Sequence, residues 1–99
     1  MVTLESSSGE QLIQFVIVPG GHGYLISSEL PVLSAGQTYQ LWRIAGRTPV
    51  SLGLLGAAPH DAGFTMADAP SGDARLAVTA EPAGGAAAPT GSIVASGTV

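Results

Sequence analysis

Every regularly patterned segment of this 99-residue chain is short and is bounded by turn residues, which limits the fold more than any other feature. The clearest case is residues 74–81, where Leu76, Val78 and Ala80 alternate with a wetter set of side chains. Because successive side chains of a strand point to opposite faces, such alternation is typical of a half-buried β-strand. No segment shows a convincing helical period, so the sequence predicts an all-β chain.

Strand-like segments recur along the chain and are separated by turn residues. We expect them at residues 2–5, 12–18, 24–28, 38–45, 50–55, 74–81 and 92–97. Six or seven short strands at such intervals predict an antiparallel β-sandwich of immunoglobulin-like architecture. The chain has no cysteine, so the disulfide of antibody domains is missing and only the architecture is predicted. Ninety-nine residues provide for one core, and we expect a single domain over residues 1–99.

The segment 38–45 is the clearest candidate for a central strand. Tyr39 and Leu41 share one face, whereas Trp42 and Ile44 share the other. Because both faces carry large apolar groups, we expect this strand to be covered on both sides or to form an oligomer contact.

Other segments have simpler interpretations. The run Pro-Gly-Gly-His-Gly at residues 19–23 predicts a hairpin turn, because no helix follows it and no lysine accompanies it as a phosphate loop requires. In residues 50–55, the apolar positions 50, 52 and 54 are expected to share one face. Residues 57–72 are expected to form a loop anchored in the core by Phe64 and Met66.

Charged residues are scarce, with three cations, seven anions and a net charge of −4. Arg43, Arg47 and Arg75 cannot form the basic surface that phosphate binding requires, so no nucleic-acid partner is expected. The absence of cysteine excludes thiolate catalysis and cysteine-based metal sites. No stretch approaches the ~18 to 20 apolar residues of a membrane helix, and no signal peptide is visible. If the domain works outside the cytoplasm, its targeting segment lies outside this chain.

Patterns for catalysis or metal binding are weak. His22 lies in a glycine turn and His60 lies beside Asp61, so a copper or zinc site is one hypothesis. No closely spaced ligand pair supports it, and two solvated histidines are the favoured interpretation. No serine lies in a nucleophile elbow, and Asp68 and Asp73 fall in a loop where solvated acids are the rule. We therefore expect no catalytic residue, no metal and no cofactor, and we predict that the protein is not an enzyme.

Four residues are singled out as interaction or signature positions: Tyr39, Trp42, Arg43 and Glu81. Trp42 is either an exposed anchor at a partner surface or a core residue whose indole N–H finds a backbone acceptor, and the core interpretation is favoured. Arg43 lies on the opposite face and could pair with Glu81 on another strand. An exposed pair of this kind would contribute only ~0 to 1 kcal/mol.

Three motifs occur in a fixed order and carry a family resemblance. They are Gly-x-x-Tyr-Gln-Leu-Trp at 36–42, Pro-Val-Ser-x-Gly at 49–53, and Leu-Ala-Val-Thr at 76–79 running into Glu-Pro-x-Gly-Gly at 81–85 and Pro-Thr-Gly at 89–91. Together they resemble the C-terminal, extracytoplasmic domain of the anti-sigma-K factor family, the transmembrane regulators of bacterial sigma factors. The resemblance extends from about residue 12 to residue 99.

This resemblance implies a non-enzymatic regulatory or sensory domain on the outer face of the cell membrane. Family members are expected to join a cytoplasmic sigma-binding domain and one transmembrane helix to this outer domain, with sigma release following proteolysis that begins outside. The sigma-binding region and the helix are missing here, so a sigma factor would bind a region absent from this chain. Met1 is interpreted either as a start introduced by cloning or as a domain boundary. A site-1-type protease or an envelope ligand is implied as a further partner.

The residues leave two other hypotheses open. One is a structural or adhesive β-sandwich module of the cell envelope. The other is an envelope domain that binds metal through His22 and His60. An apolar helix of ~20 residues upstream would favour the regulator, whereas a secretion signal would favour the adhesive module.

Overall fold

Strands make up most of the described chain. The computed structural model describes residues 2–18, 22–45, 48–58, 63–65 and 75–98. The strands are β1 (Val2–Glu5), β2 (Gln11–Ile17), β3 (His22–Ser28), β4 (Gln37–Ala45), β5 (Thr48–Gly56), β6 (Gly63–Thr65), β7 (Arg75–Pro82) and β8 (Ile93–Thr98). No helix occurs among these described residues, and the all-β prediction is confirmed.

The described strands form one antiparallel sheet. Their order in space is β5-β4-β7-β8-β1-β2-β3-β6. The sheet curls, so that some Cα atoms of the edge strands β5 and β6 come within 8 Å of each other. The curled sheet encloses its core in the manner of a β-sandwich, as predicted, with eight strands in the described part of the chain where six or seven were expected.

The core lies on the inner face of the curl. Its buried apolar side chains are Val2, Leu4, Ile13, Phe15, Leu30, Tyr39, Leu41, Leu55, Leu76, Val78 and Ala95. Each fully buried side chain of leucine or valine size contributes about 1.5–3 kcal/mol through the area that it removes from water. All of them except Leu30 come from strands, and six of the eight described strands contribute, so the core joins both halves of the sheet.

Strand β5 does not keep the regular alternation that its sequence predicts. Its register with β4 shifts twice, so that Leu55 and Leu52 fall between paired residues. Each shift resembles a β-bulge, in which an extra residue on one strand re-aims the side chains beside it. Leu55 is buried and Leu52 packs against the core, whereas Val50 and Leu54 are about half exposed. The shared face expected for positions 50, 52 and 54 is therefore wrong.

The hairpin predicted around residues 19–23 is confirmed by the strands on each side of it. Strands β2 and β3 pair antiparallel up to Ile17 opposite Gly23. The backbone N–H of Val18 donates to the carbonyl oxygen of His22 at 2.9 Å. Residues 19–21 lie outside the described residues.

The long loop expected at residues 57–72 contains a strand that the sequence analysis missed. Strand β6 pairs antiparallel with β3, with Phe64 opposite Gly23. Three residues are too few for a visible alternation, which explains the omission. The expected core anchors remain untested, because Met66 and the side chain of Phe64 lie outside what the structure describes.

Strand β8 joins the two halves of the sheet. It pairs with β7 from Thr98 opposite Arg75 to Ile93 opposite Thr79, and with β1 at Ser96 opposite Glu5. That last pair is the only one in register between β8 and β1 in the described residues. By contrast, β4 and β7 stay in register along the whole of 37–44. We call the junction of β8 and β1 the seam.

Candidate functional site

The outer face of β4 and β7 is buried, although it lies opposite the core. In register across these strands, Gln40 faces Thr79, Trp42 faces Ala77, and Thr38 faces Glu81. All of these residues are buried. A face turned away from the core is shielded from water only when another part of the chain lies over it. Over Gln40 and Glu81 that part is residues 83–92, which connect β7 to β8 and are called the cover loop below.

Gln40 holds the middle of the cover loop through its side-chain amide. Its Nε2 donates to the carbonyl oxygen of Ala86 at 3.0 Å, and its Oε1 accepts from the backbone N–H of Ala86 at 2.9 Å. The same Nε2 donates to Ser51 Oγ on β5 at 2.8 Å. One buried amide therefore satisfies both polar groups of a loop residue and ties them to two strands.

Glycine at position 85 lets the loop lie close to the sheet. Its φ is +83°, a left-handed conformation that L side chains rarely adopt. A Cβ at Gly85 would lie 2.7 Å from Leu54 Cδ2 and 3.1 Å from Gln40 Oε1. The second glycine of the Gly-Gly pair in the third motif therefore marks a point at which the loop lies close to the sheet.

Glu81 holds the far end of the cover loop. Its carboxylate accepts hydrogen bonds from the hydroxyl of Thr79 at 2.5 Å, from the hydroxyl of Thr90, and from the backbone N–H of Thr90 at 3.1 and 3.2 Å. Glu81 is 1% exposed. A buried carboxylate is stable only when hydrogen bonds replace its lost hydration, and these donors do so.

Two opposing effects act on the pKa of Glu81. Burial acts to raise the pKa, whereas hydrogen bonds from the side chains of Thr79 and Thr90 and from the backbone of Thr90 and Gly91 act to lower it. The hydrogen bonds prevail, and the pKa of Glu81 lies below its ordinary value. The carboxyl group is therefore ionised at neutral pH, and it acts as an acceptor for the loop.

Trp42 extends this hydrogen-bonded chain along the outer face. Its indole Nε1–H donates to Thr79 Oγ1 at 2.8 Å, and Thr79 in turn donates to Glu81. Trp42 is fully buried, as the favoured interpretation expected, but its acceptor is a side-chain hydroxyl where a backbone carbonyl was expected. We call Trp42, Thr79, Glu81 and Thr90 the latch.

Tyr39 lies on the inner face of β4 and fixes the segment that precedes the strand. Its hydroxyl donates to the carbonyl oxygen of Pro31 at 2.6 Å, and its side chain is 2% exposed. Burial raises the pKa of the Tyr39 phenol. The residue therefore joins the core to the connection between β3 and β4.

The expected pairing of Arg43 with Glu81 is wrong. On β7, Arg43 lies opposite Leu76 and Glu81 lies opposite Thr38, so the two charged residues are five positions apart in the ladder. Five positions correspond to roughly 17 Å along a strand. The two side chains also lie on opposite faces, because 43 and 38 differ by an odd number of residues. Arg43 is half-buried on the face that carries Tyr39.

The two histidines are not brought together by any described contact. His22 is exposed at the start of β3, whereas His60 and Asp61 lie outside the described residues. In the part of the chain that the structure describes, no group of three or more His, Cys, Asp or Glu side chains is placed to hold a metal ion. No helix of that part is long and apolar enough to cross a membrane.

Sequence reasoning found Trp42 and Glu81 but missed their partners. The alternation of β7 places Thr79 among its wetter residues, and Thr90 stands out only as part of a Pro-Thr-Gly motif. No pattern in the sequence singles out Gln40. A signal was present, since each of these polar residues lies within a family motif. Their proximity depends on the cover loop folding back onto the sheet, which no periodicity reveals.

Comparisons with known proteins agree with the motifs. The model of one protein family, described as anti-sigma-K factor rskA, C-terminal, matches residues 1–99. The anti-sigma-K factor RskA of Mycobacterium ulcerans (strain Agy99) is 36% identical over 76 residues, which cover 74% of this chain and 32% of that protein. No solved structure shows a significant match.

The matched family and the curated relative are both anti-sigma factors, a class of regulatory proteins. The chain belongs to the family of the anti-sigma-K factor RskA C-terminal domain. The resemblance drawn from the three motifs is thereby confirmed. The matched region spans about a third of the length of the curated relative.

Proposed function

We propose that this chain is the non-enzymatic outer domain of a membrane-bound anti-sigma factor and that it controls release of the sigma factor. The observation that carries the proposal is the family match over residues 1–99. In this proposal the sigma factor binds a region outside this chain, and a membrane helix places the domain on the extracytoplasmic side. Transcription then responds to events that this domain detects or permits.

The chemistry of the latch supports a regulatory role over a catalytic one. Both oxygens of Glu81 accept hydrogen bonds from the protein's own Thr79 and Thr90. A general acid or base needs a proton within reach of substrate, and here the carboxylate is 1% exposed. The motif residues Thr79, Glu81 and Thr90 therefore fasten the cover loop to the sheet, and their polar atoms bind one another.

A physical mechanism is available to a domain of marginal stability, which is folded most of the time but can open. The folded sandwich shields a cleavage-prone segment near the membrane, and ligand binding or local unfolding changes the exposure of that segment. A protease or an envelope ligand is the partner in this mechanism. Proteolysis on the outer side then begins the release of the sigma factor.

The experiment uses the full-length gene and a reporter that depends on the cognate sigma factor. The domain is either deleted or replaced by an unrelated β-sandwich, and reporter output and the fragments of the anti-sigma factor are measured with and without the inducing signal. We expect the response to the signal to be lost in both variants. A reporter response and fragment pattern identical to those of the wild type would reject the proposal.

One observation favours the alternative of a structural or adhesive module. Tyr24 and Ile26 on β3 are 51% and 49% exposed, and exposed apolar side chains on one strand suit a protein contact. Substituting both by serine distinguishes the hypotheses. If the domain is an adhesive module, the double variant should lose binding to envelope material while the sigma-dependent reporter stays regulated. If it is the regulatory domain, regulation of the reporter should not depend on binding to envelope material.

A further inference from the structure

The seam is close-packed but has few pairs in register. A Cβ at Gly97 of β8 would overlap the carbonyl oxygen of Thr3 on β1 and would lie 3.0 Å from Leu4 Cδ2. Nevertheless, Glu5 opposite Ser96 is the only pair in register between these strands in the described residues. The two strands are therefore held by close contact of their backbones more than by a long ladder of hydrogen bonds.

The core beneath the seam depends on both strands. Leu4 of β1 is fully buried, and Ala95 of β8 is 1% exposed in the same cluster. Val2 is a second buried side chain on β1. When β8 separates from β1, this part of the core is exposed to water from both sides.

One member of the latch, Thr90, lies just before β8 in the chain and anchors the segment that enters this strand. Thr90, which binds Glu81, is three residues from Ile93, the first residue of β8. Between them, Gly91 lies so close to β7 that a Cβ would be 2.6 Å from the carbonyl oxygen of Ala80. The latch and this contact together determine where the chain enters β8 and hence how β8 meets β1.

We infer that the latch and the close contact of Gly97 with Thr3 hold β8 against β1, and we call this set of contacts the clasp. When the clasp is released, the sheet opens between β8 and β1 before any other pair of strands separates. Opening a sheet costs least where the fewest backbone hydrogen bonds are lost. The seam has one pair in register, whereas β3 and β6 pair at three positions, β1 and β2 at four, and β7 and β8 at five. The clasp goes beyond the regulatory role proposed above and does not depend on it, because it concerns only the order in which this sheet opens.

Native-state hydrogen exchange on the 99-residue chain tests the clasp in the wild type first. Exchange is followed at each amide by NMR while urea is raised within the range in which the protein stays folded. We expect the amides of Val2–Glu5 and Ile93–Thr98 to exchange through a partial opening that the amides of β2 and β4 do not share. If these two strands exchange only through global unfolding, the clasp does not exist.

Two substitutions should produce the same exchange pattern from different positions. Gly97→Ala inserts a side chain against Thr3, and Glu81→Gln weakens the latch. In each variant we expect exchange in β1 and β8 to become about tenfold faster or more, with smaller changes in β2 and β4. Should either variant accelerate exchange equally in all strands, or first in β5 or β3, the inference is overturned.

Matched controls separate the clasp from general damage. Gly63→Ala makes the same chemical change on strand β6, where the nearest atom to the added Cβ is 3.6 Å away. Gln40→Ala removes the bonds to Ala86 but leaves the latch in place. Gly63→Ala should leave β1 and β8 unchanged, and Gln40→Ala should accelerate exchange at Ala86 alone. Faster exchange at the seam in either control contradicts the assignment of the clasp to the latch and Gly97.

Discussion

The carboxylate of Glu81 is charged, buried and bound by neutral donors. Two hydroxyls and backbone N–H groups replace its hydration, and each bond to an ionised acceptor is worth more than a bond between neutral groups. The donors are fixed by the loop and the strand, so the carboxylate determines where the loop lies. Together with Gln40, which holds the middle of the loop, Glu81 thus orders an Ala/Gly/Pro segment that has no core of its own.

The first prediction concerns the pH dependence of stability. The pKa of Glu81 is lower in the folded chain than in the unfolded chain, where it has the ordinary value of a glutamate. Its contribution to the free energy of unfolding is therefore complete above that unfolded pKa and is lost as the pH falls through the folded pKa. Urea unfolding followed by Trp42 fluorescence between pH 7 and pH 3 should show Glu81→Gln less stable at pH 7, by about 1.5–3 kcal/mol, with the difference shrinking in acid.

The control for this prediction is Glu10→Gln, which alters an exposed carboxylate in the turn before β2. Its stability should follow that of the wild type across the pH range. A Glu81→Gln variant with the same pH profile as the wild type would contradict the role assigned to the carboxylate.

The second prediction compares two glycines of the cover loop. A Cβ at Gly91 meets a backbone oxygen of β7 that cannot move aside, whereas a Cβ at Gly84 meets nothing within 4 Å. Gly91→Ala should therefore cost about 1–3 kcal/mol by overpacking and should shift the NMR signal of the Trp42 indole N–H. Gly84→Ala should cost about 1–2 kcal/mol, because φ at Gly84 is +93°, and should leave that signal in place. Equal shifts of the Trp42 indole signal in both variants would show that the latch does not depend on the contact at position 91.

At the scale of elements, β5 shows how a strand departs from its own sequence pattern. Two irregularities in its ladder turn Leu52 and Leu55 toward the core, where a regular strand would place only one of the two. Gly53 lies between them with φ +140°, a conformation that glycine permits. The bulged edge also hinders edge-to-edge pairing with other chains.

The third prediction uses two neighbouring leucines of β5. Leu55 is 8% exposed and Leu54 is 47% exposed. Leu55→Ala should lower the free energy of unfolding by about 2–5 kcal/mol, because it leaves a cavity in the core. Leu54→Ala should cost less than about 1 kcal/mol. Urea unfolding of both variants at pH 7 checks this, and the opposite order would show that the register of β5 is different.

The elements differ in how well the sequence predicts them. Strand β7 was predictable because its alternation is regular, and β4 was predictable because its run of large apolar residues lies between Gly36 and Gly46. Strand β6 and the bulges of β5 were not, because a three-residue strand has no period and a bulge is decided by the partner strand. The burial of Trp42 was expected from its chemistry. The latch was not, since Thr90 reaches Glu81 only when the cover loop crosses the face of the sheet.

At the scale of the whole molecule, the two halves of the sheet are joined by contacts between distant parts of the chain. Glu5 and Ser96, which pair at the seam, are separated by 96 − 5 = 91 positions. Bringing such distant residues together has a large entropic cost, and proteins dominated by such pairings fold in milliseconds to seconds.

The fourth prediction is that the seam forms after the main barrier to folding. Ala95→Gly on β8 should then accelerate unfolding while changing the refolding rate by less than about twofold. Val78→Ala on β7, a fully buried site within the long ladder, should slow refolding as well. Stopped-flow measurements of Trp42 fluorescence across a range of urea concentrations report both rates. A slower refolding rate for Ala95→Gly would place the seam in the transition state.

The position of β8 between β7 and β1 also bears on how the chain is made. During synthesis residues 93–98 are added after all the other strands, so β1 and β7 each wait with a free edge until β8 arrives. A free edge is a template for pairing with another chain, and the nascent domain is therefore most prone to aggregate in that interval. Pairing of β8 with β7 and β1 covers both free edges and so ends the interval in which aggregation is most favoured.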